Sequence, residues 1–127
     1  MPSTITKGIF ITTAPVAGGC LTFHLESAAS TNQNVIKNSP GQVYGWYVYN
    51  SNSAARKLCF HNSAATPTAG AGIYYTLVLP GLSAANVFFP IGIAHTTGIA
   101  ITTVVGLPDN SSAPVAADDL NINIYYQ

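Results

Sequence analysis

The chain has 127 residues, enough for one domain with a real core. Four basic and four acidic residues make up 6% of it, where a typical globular domain carries about 25% charge. With zero net charge there is no global field to draw phosphate backbones, so nucleic acid is excluded as a partner, and the apolar runs fall short of the ~20 residues a spanning helix needs, so no membrane is expected. Ser, Thr and Asn together number 33, a neutral polar surface that can keep such a chain in solution. Burial against partners would serve as well, and both fit a protein that lives in an assembly.

The chain reads as β throughout. The first strand-like run, residues 4–13, sets Ile5, Ile9 and Ile11 on one side of an extended chain, with Lys7 between them. "APVAGG" follows, a break at which the chain can swing. Residues 1–18 are therefore expected to form an N-terminal arm, or an edge strand, with a flexible joint. Next, "CLTFHLE" (20–26) alternates cleanly, as a half-buried strand does. "NVIK" (34–37) is short. "VYGWYVY" (43–49) has Tyr44, Trp46 and Val48 on one face and Val43, Gly45, Tyr47 and Tyr49 on the other. Neither face is polar. The strand is then central and covered twice, or its second face meets another chain, or it is a ligand platform.

"NSNSAA" is a turn, and "RKLCFH" (56–61) returns with Leu58 and Phe60 on the side of Arg56 and with Lys57, Cys59 and His61 opposite. "IYYTLVL" (73–79) is stopped by Pro80-Gly81. "NVFFPIGIA" (86–94) contains Pro90, which implies a bulge, a corner or an edge position. "GIAITTVVG" (98–106) and "LNINIYYQ" (120–127) complete the series. About eight to nine short strands at this spacing describe an all-β single domain over residues 19–127, a sandwich or barrel.

No catalytic set gathers in the sequence. There is no HExxH, CxxC, GxSxG, P-loop or GxGxxG, so no catalytic residue, metal ligand or cofactor is assigned. Cys20 with His24, and Cys59 with His61, share strand faces. Were those strands adjacent, they could hold a soft metal or a reactive thiol; small apolar Cys and hydrogen-bonded His is the plainer reading. Asp118-Asp119 point opposite ways on an extended chain and read as turn capping and edge protection. The aromatic stretch lacks the basic groove that stacking on single-stranded nucleic acid requires. A sugar platform would need an exposed ring with amide and carboxylate partners.

From about residue 42 onward, "GQVYGWYVYNSNSAARKLCFHN", "TPTAGAGIYYTLVLPG", "ANVFFPIGIAHTTGIAITTVVG" and "LNINIYY" resemble, in that order, a group of small structural proteins of tailed bacteriophages. The resemblance covers roughly two-thirds of the chain. It implies a jelly-roll-like β-sandwich made in the host cytoplasm and carried on the capsid surface of the virion. Such a protein would not be an enzyme. It would decorate or cement a capsid across subunit junctions as a homotrimer, with itself and the major capsid protein as partners. The alternative is a tail, fibre or baseplate module that binds carbohydrate receptors. The residues expected at interfaces are Ile5, Ile9, Phe10, Ile11, Trp46, Tyr47, Tyr49, Arg56 and Lys57.

Overall fold

The computed structural model describes residues 19–127. Among them are eight strands and no helix: β1 (Leu21–Glu26), β2 (Asn34–Lys37), β3 (Gly41–Asn50), β4 (Arg56–Asn62), β5 (Tyr75–Leu79), β6 (Ser83–His95), β7 (Ile99–Val104) and β8 (Leu120–Tyr126). Each segment past residue 18 that alternation and β-branched content mark as a strand is one. The remaining expected strand, residues 4–13, lies outside the described residues.

The strands form two antiparallel four-stranded sheets, ordered β1-β8-β3-β6 and β2-β7-β4-β5. This is the strand order of a jelly roll, two interlocked Greek keys folded into a sandwich. Only β4 and β5 are neighbours both in sequence and in a sheet. Every other pairing joins distant segments, so loop closure precedes most of the stabilising contacts and slow folding is expected. The winding collects the β1–β2, β3–β4, β5–β6 and β7–β8 connections at one end of the sandwich. Hydrogen bonds from Ser51 N to Asp119 O, Asp118 N to Ser27 O and Leu82 N to Asn52 O tie that end together.

The core lies between the inner faces. Val43, Val48, Leu58, Phe60, Leu79, Ile99, Ile101, Leu120, Ile122 and Ile124 are fully buried there. Each such side chain contributes about 1.5–3 kcal/mol relative to exposure. Trp46 packs within 5.3 Å of Phe60 and 5.4 Å of Phe89, and Phe60 stacks on Tyr75 at 4.5 Å, measured between ring centroids. The Tyr75 hydroxyl needs a partner at this depth and finds His95 Nε2 at 2.8 Å. His95 Nδ1 is 2.9 Å from the Gly98 carbonyl and donates to it, which leaves Nε2 to accept. Burial pushes the His95 pKa down, against the smaller upward pull of its bonds to the Gly98 and His61 backbones.

Pro90 sits both on an edge strand and in a bulge. The β3–β6 register runs from Val43 opposite Ile93 to Gly45 opposite Phe88, so β6 carries extra residues through Pro90. An edge position and a bulge are where a residue without an N–H is tolerated. The bulge also corrects the face assignment of β3. Strict alternation puts Val43 with Tyr47, yet Val43 is buried in the core beside Trp46. The register shift between Val43 and Gly45 rotates the strand by one residue. Gly45 is required at this point, because a Cβ there would collide with the Val87 carbonyl oxygen.

Candidate interaction surface

Sheet β2-β7-β4-β5 is covered over β4 and β7 on its outer face, while the edge strand β5 leaves Thr76 and Val78 exposed there. The outward side chains of β4 and β7, Lys57, Cys59, His61, Ala100, Thr102 and Val104, are all buried. Two long connections cover them, residues 63–74 and 105–119. Lys57 Nζ donates to the Leu107 carbonyl at 2.6 Å and to Asp109 Oδ1 at 2.9 Å. The ammonium is 1% exposed while its carboxylate partner is 75% exposed, so the pair closes the covering loop at its rim. A charge buried this deeply is tolerated only when paired and hydrogen-bonded.

His61 Nδ1 donates to the Gly72 carbonyl at 3.0 Å, and Nε2 accepts from the Thr102 hydroxyl at 2.9 Å. Burial lowers the His61 pKa more than the backbone bonds at Gly72 and Ala71 raise it. Burial likewise raises the Cys59 thiol, which leaves it in the unreactive protonated form. The two covering loops meet at Gly70, whose φ is +84° and whose Cβ position would lie 2.8 Å from the Asn110 carbonyl oxygen.

The loop end is held by Asp119. Its carboxylate accepts from Arg56 Nε at 2.7 Å, Asn52 Nδ2 at 3.0 Å and the Ala116 amide at 2.9 Å. Burial alone would raise this carboxyl; the Arg56, Ala116 and Asn52 donors outweigh it and hold the pKa below the usual carboxylate value. Asn50, fully buried, donates to Ala54 O, Leu79 O and Pro80 O, and so joins the β3–β4 turn to the β5–β6 turn.

Sheet β1-β8-β3-β6 is open. No loop among the described residues covers its outer face, where side chains stand in rows across the strands. One row is Glu26, Asn121, Tyr49 and Ala84; the next is His24, Asn123, Tyr47 and Asn86; the third is Thr22, Tyr125, Gly45 and Phe88. Tyr47, Tyr49 and Phe88 are 41%, 36% and 63% exposed. Asn123 is anchored, accepting from His24 Nδ1 at 2.8 Å and donating to Asn121 Oδ1 at 3.0 Å. The face is aromatic and amide-rich and holds no Lys or Arg. At its flank the edge strands β5 and β6 approach each other; β6 exposes Ile91 there, and Tyr74 donates its hydroxyl to Ala94 O.

The expected interface residues separate into three groups. Ile5, Ile9, Phe10 and Ile11 lie outside the described residues. Trp46 is a core side chain at 8% exposure and is withdrawn as a surface ring. Lys57 is withdrawn as well, and Arg56 spends its guanidinium on Asp119 and the Ala55 carbonyl, so neither is a free cation for a partner's carboxylates. Tyr47 and Tyr49 are on the open face. The cysteine reading also changes: Cys20 is an exposed free thiol, not a buried one. β1 and β4 belong to different sheets, so the two Cys-His faces do not meet. Among the described residues no three His, Cys, Asp or Glu side chains group as metal ligands, and no helix is long and apolar enough to cross a membrane. Phe88 and Ile91 are large exposed residues that the sequence reading did not single out. Phe88 points outward by the strand's own alternation, opposite Gly45, and Ile91 is exposed in the bulge that Pro90 marks.

No family model matches the chain, and no curated protein matches it. Among solved structures, it is similar to the coat protein of tobacco streak virus, with 7% identity and a TM-score of 0.38 over 87% of this chain and 85% of that one. At that level of similarity no property passes from one protein to the other.

Proposed function

We propose that the chain is a non-enzymatic structural protein of a virion, one that decorates or cements a phage capsid by binding across subunit junctions as a homotrimer. The observation that carries this reading is the β5–β6 flank together with the open sheet beside it. Phe88 and Ile91, 63% and 83% exposed, stand on a bulged edge strand, while β4 and β7 of the opposite sheet are covered by the chain's own loops. Large exposed apolar side chains clustered on one side of a molecule mark an interaction site. The resemblance of residues 42–127 to phage structural proteins supplies the capsid, and the low charge favours burial in an assembly over a free existence. Association would bury apolar surface at about 25 cal/mol per Å², less the cost of lost rigid-body freedom. Residues 4–13 are the segment proposed to add as a strand to a neighbouring subunit.

Retention on capsids tests this. Particles lacking the protein are incubated with the full chain, with Phe88→Asp/Ile91→Asp, or with a variant lacking residues 1–13. Stable retention of the full chain, lost in the double variant, is expected, as is loss on deletion. Full occupancy by the deletion variant would remove the arm from the proposal, and full occupancy by the double variant would remove the flank.

A further inference from the structure

At the loop end of the open sheet, away from the β5–β6 flank, is a cavity of about 220 Å³ lined by Glu26, Tyr49, Ser51, Asp118 and Asn121, with Leu120 at its base. Its contents are unlike the rest of the face. Its lining residues include two acids, an amide, a hydroxyl and a tyrosine that is 36% exposed, and no basic residue. We propose that this cavity binds the terminal ring of a neutral saccharide. The inference is independent of the capsid reading.

A sugar ring offers a face of C–H groups and a rim of hydroxyls. Tyr49 presents a ring to the face, as aromatic side chains do where one side of a ligand is apolar and the other wet. The rim calls for several acceptors and a few donors close together. Carboxylates accept from hydroxyls in short, charge-assisted bonds. Asn121 provides an amide that can give and take, with Oδ1 already accepting from Asn123 and Nδ2 left to donate. Ser51 donates its hydroxyl hydrogen to the Asp118 carbonyl at 2.7 Å and keeps its lone pairs for a ligand.

The lining is held in advance. Asp118 sits at φ +62°, in the left-handed region, and its backbone is clamped on both sides. Its N–H donates to Ser27 O at 2.7 Å and its carbonyl accepts from Ser51. The adjoining Asp119 fixes the same loop through Arg56, Asn52 and Ala116. Glu26, Asn121 and Tyr49 come from three adjacent strands in one cross-strand row. A site on strands with a pinned loop loses little order on binding, which favours weak polar ligands. The two carboxyl groups exclude anionic sugars and phosphates by repulsion. The cavity also relocates the sugar platform that the aromatic run suggested. Trp46 is inside the core, and Tyr49 is the ring of this run that lines the cavity.

The test titrates the full chain with a panel of neutral methyl glycosides, with a sialylated sugar, with lysine methyl ester and with calcium alone, following backbone amide resonances. Saturable shifts confined to the amides around Glu26, Tyr49, Ser51, Asp118 and Asn121, produced by at least one neutral glycoside and unchanged by a chelator, are expected. Tyr49→Ala should weaken that binding roughly tenfold, the size of one lost aromatic contact, and Glu26→Gln should weaken it too. Thr22→Ala, on the same face two rows away, should leave it unchanged. The proposal is overturned if no neutral glycoside gives saturable shifts at these amides. Preference for the sialylated sugar or for the amine overturns it, as do shifts from calcium alone or affinity that survives Tyr49→Ala.

Discussion

The two outer faces of the sandwich are built from similar alternating strands and end in opposite states. On β4 and β7 the outward row is Lys57, His61, Cys59 and Thr102, polar or small residues that a strand would normally give to water, and it is buried. On β3 the outward row is Tyr47 and Tyr49, aromatic residues that a strand would normally bury, and it is exposed. The side-chain type alone would assign both the wrong way. What decides is the connections. The long loops 63–74 and 105–119 both fold over sheet β2-β7-β4-β5, and each polar group beneath them has a specific partner in a loop or across the sheet. The fold thus uses its own loops to cover β4 and β7, while no loop among the described residues covers the other face.

Mutation separates the two faces most sharply at Lys57. Lys57→Ala strands the Leu107 carbonyl and leaves space under the loop, and a loss of about 2–4 kcal/mol is expected by urea denaturation. Tyr47→Ala, on the open face, should fall within about 0.5 kcal/mol of the parent. Equal losses from both would mean that the faces do not differ as described.

Acid probes the buried histidines next, His61 under the covering loops and His95 in the core. The buried His61 and His95 have folded pKa values below the ordinary 6.5, so the unfolded chain takes up their protons first. Their contribution is complete above about 6.5 and is lost as pH falls below it, toward the lowered folded values. Asp119, also lowered from its ordinary 3.8, is lost in the same direction but only below that value. The melting temperature should be level from neutral pH upward and should begin to drop just below 6.5. A curve level down to the carboxylate range would show that the histidines are not held neutral by burial.

The fold was largely legible before any coordinates. Short alternating runs bounded by Gly, Pro and Asn marked all eight described strands, and Pro90 marked the bulge and the edge. The parts that were not legible share one cause. Lys57 read as a surface cation because period two puts it opposite Leu58, and nothing local says that residues 105–119 will lie on top of it. Trp46 and Tyr49 read as opposite faces of β3 and are so, but nothing local says that the Trp46 face is the one covered by the core. Val43 was put on the wrong face because a register shift is a property of two strands, and only one can be read at a time. The cavity at Glu26, Tyr49 and Asn121 takes each residue from a different strand, so it had no sequence spacing to betray it.

The most direct test of the account is the mass of the full chain in solution and of its Phe88→Asp/Ile91→Asp variant, by native mass spectrometry with thermal unfolding alongside. A trimer is predicted for the full chain, and a folded monomer for the variant, melting cooperatively but at a lower temperature because association no longer stabilises it. A monomeric full chain, or a variant that remains trimeric, would contradict the claim that copies meet through the β5–β6 flank.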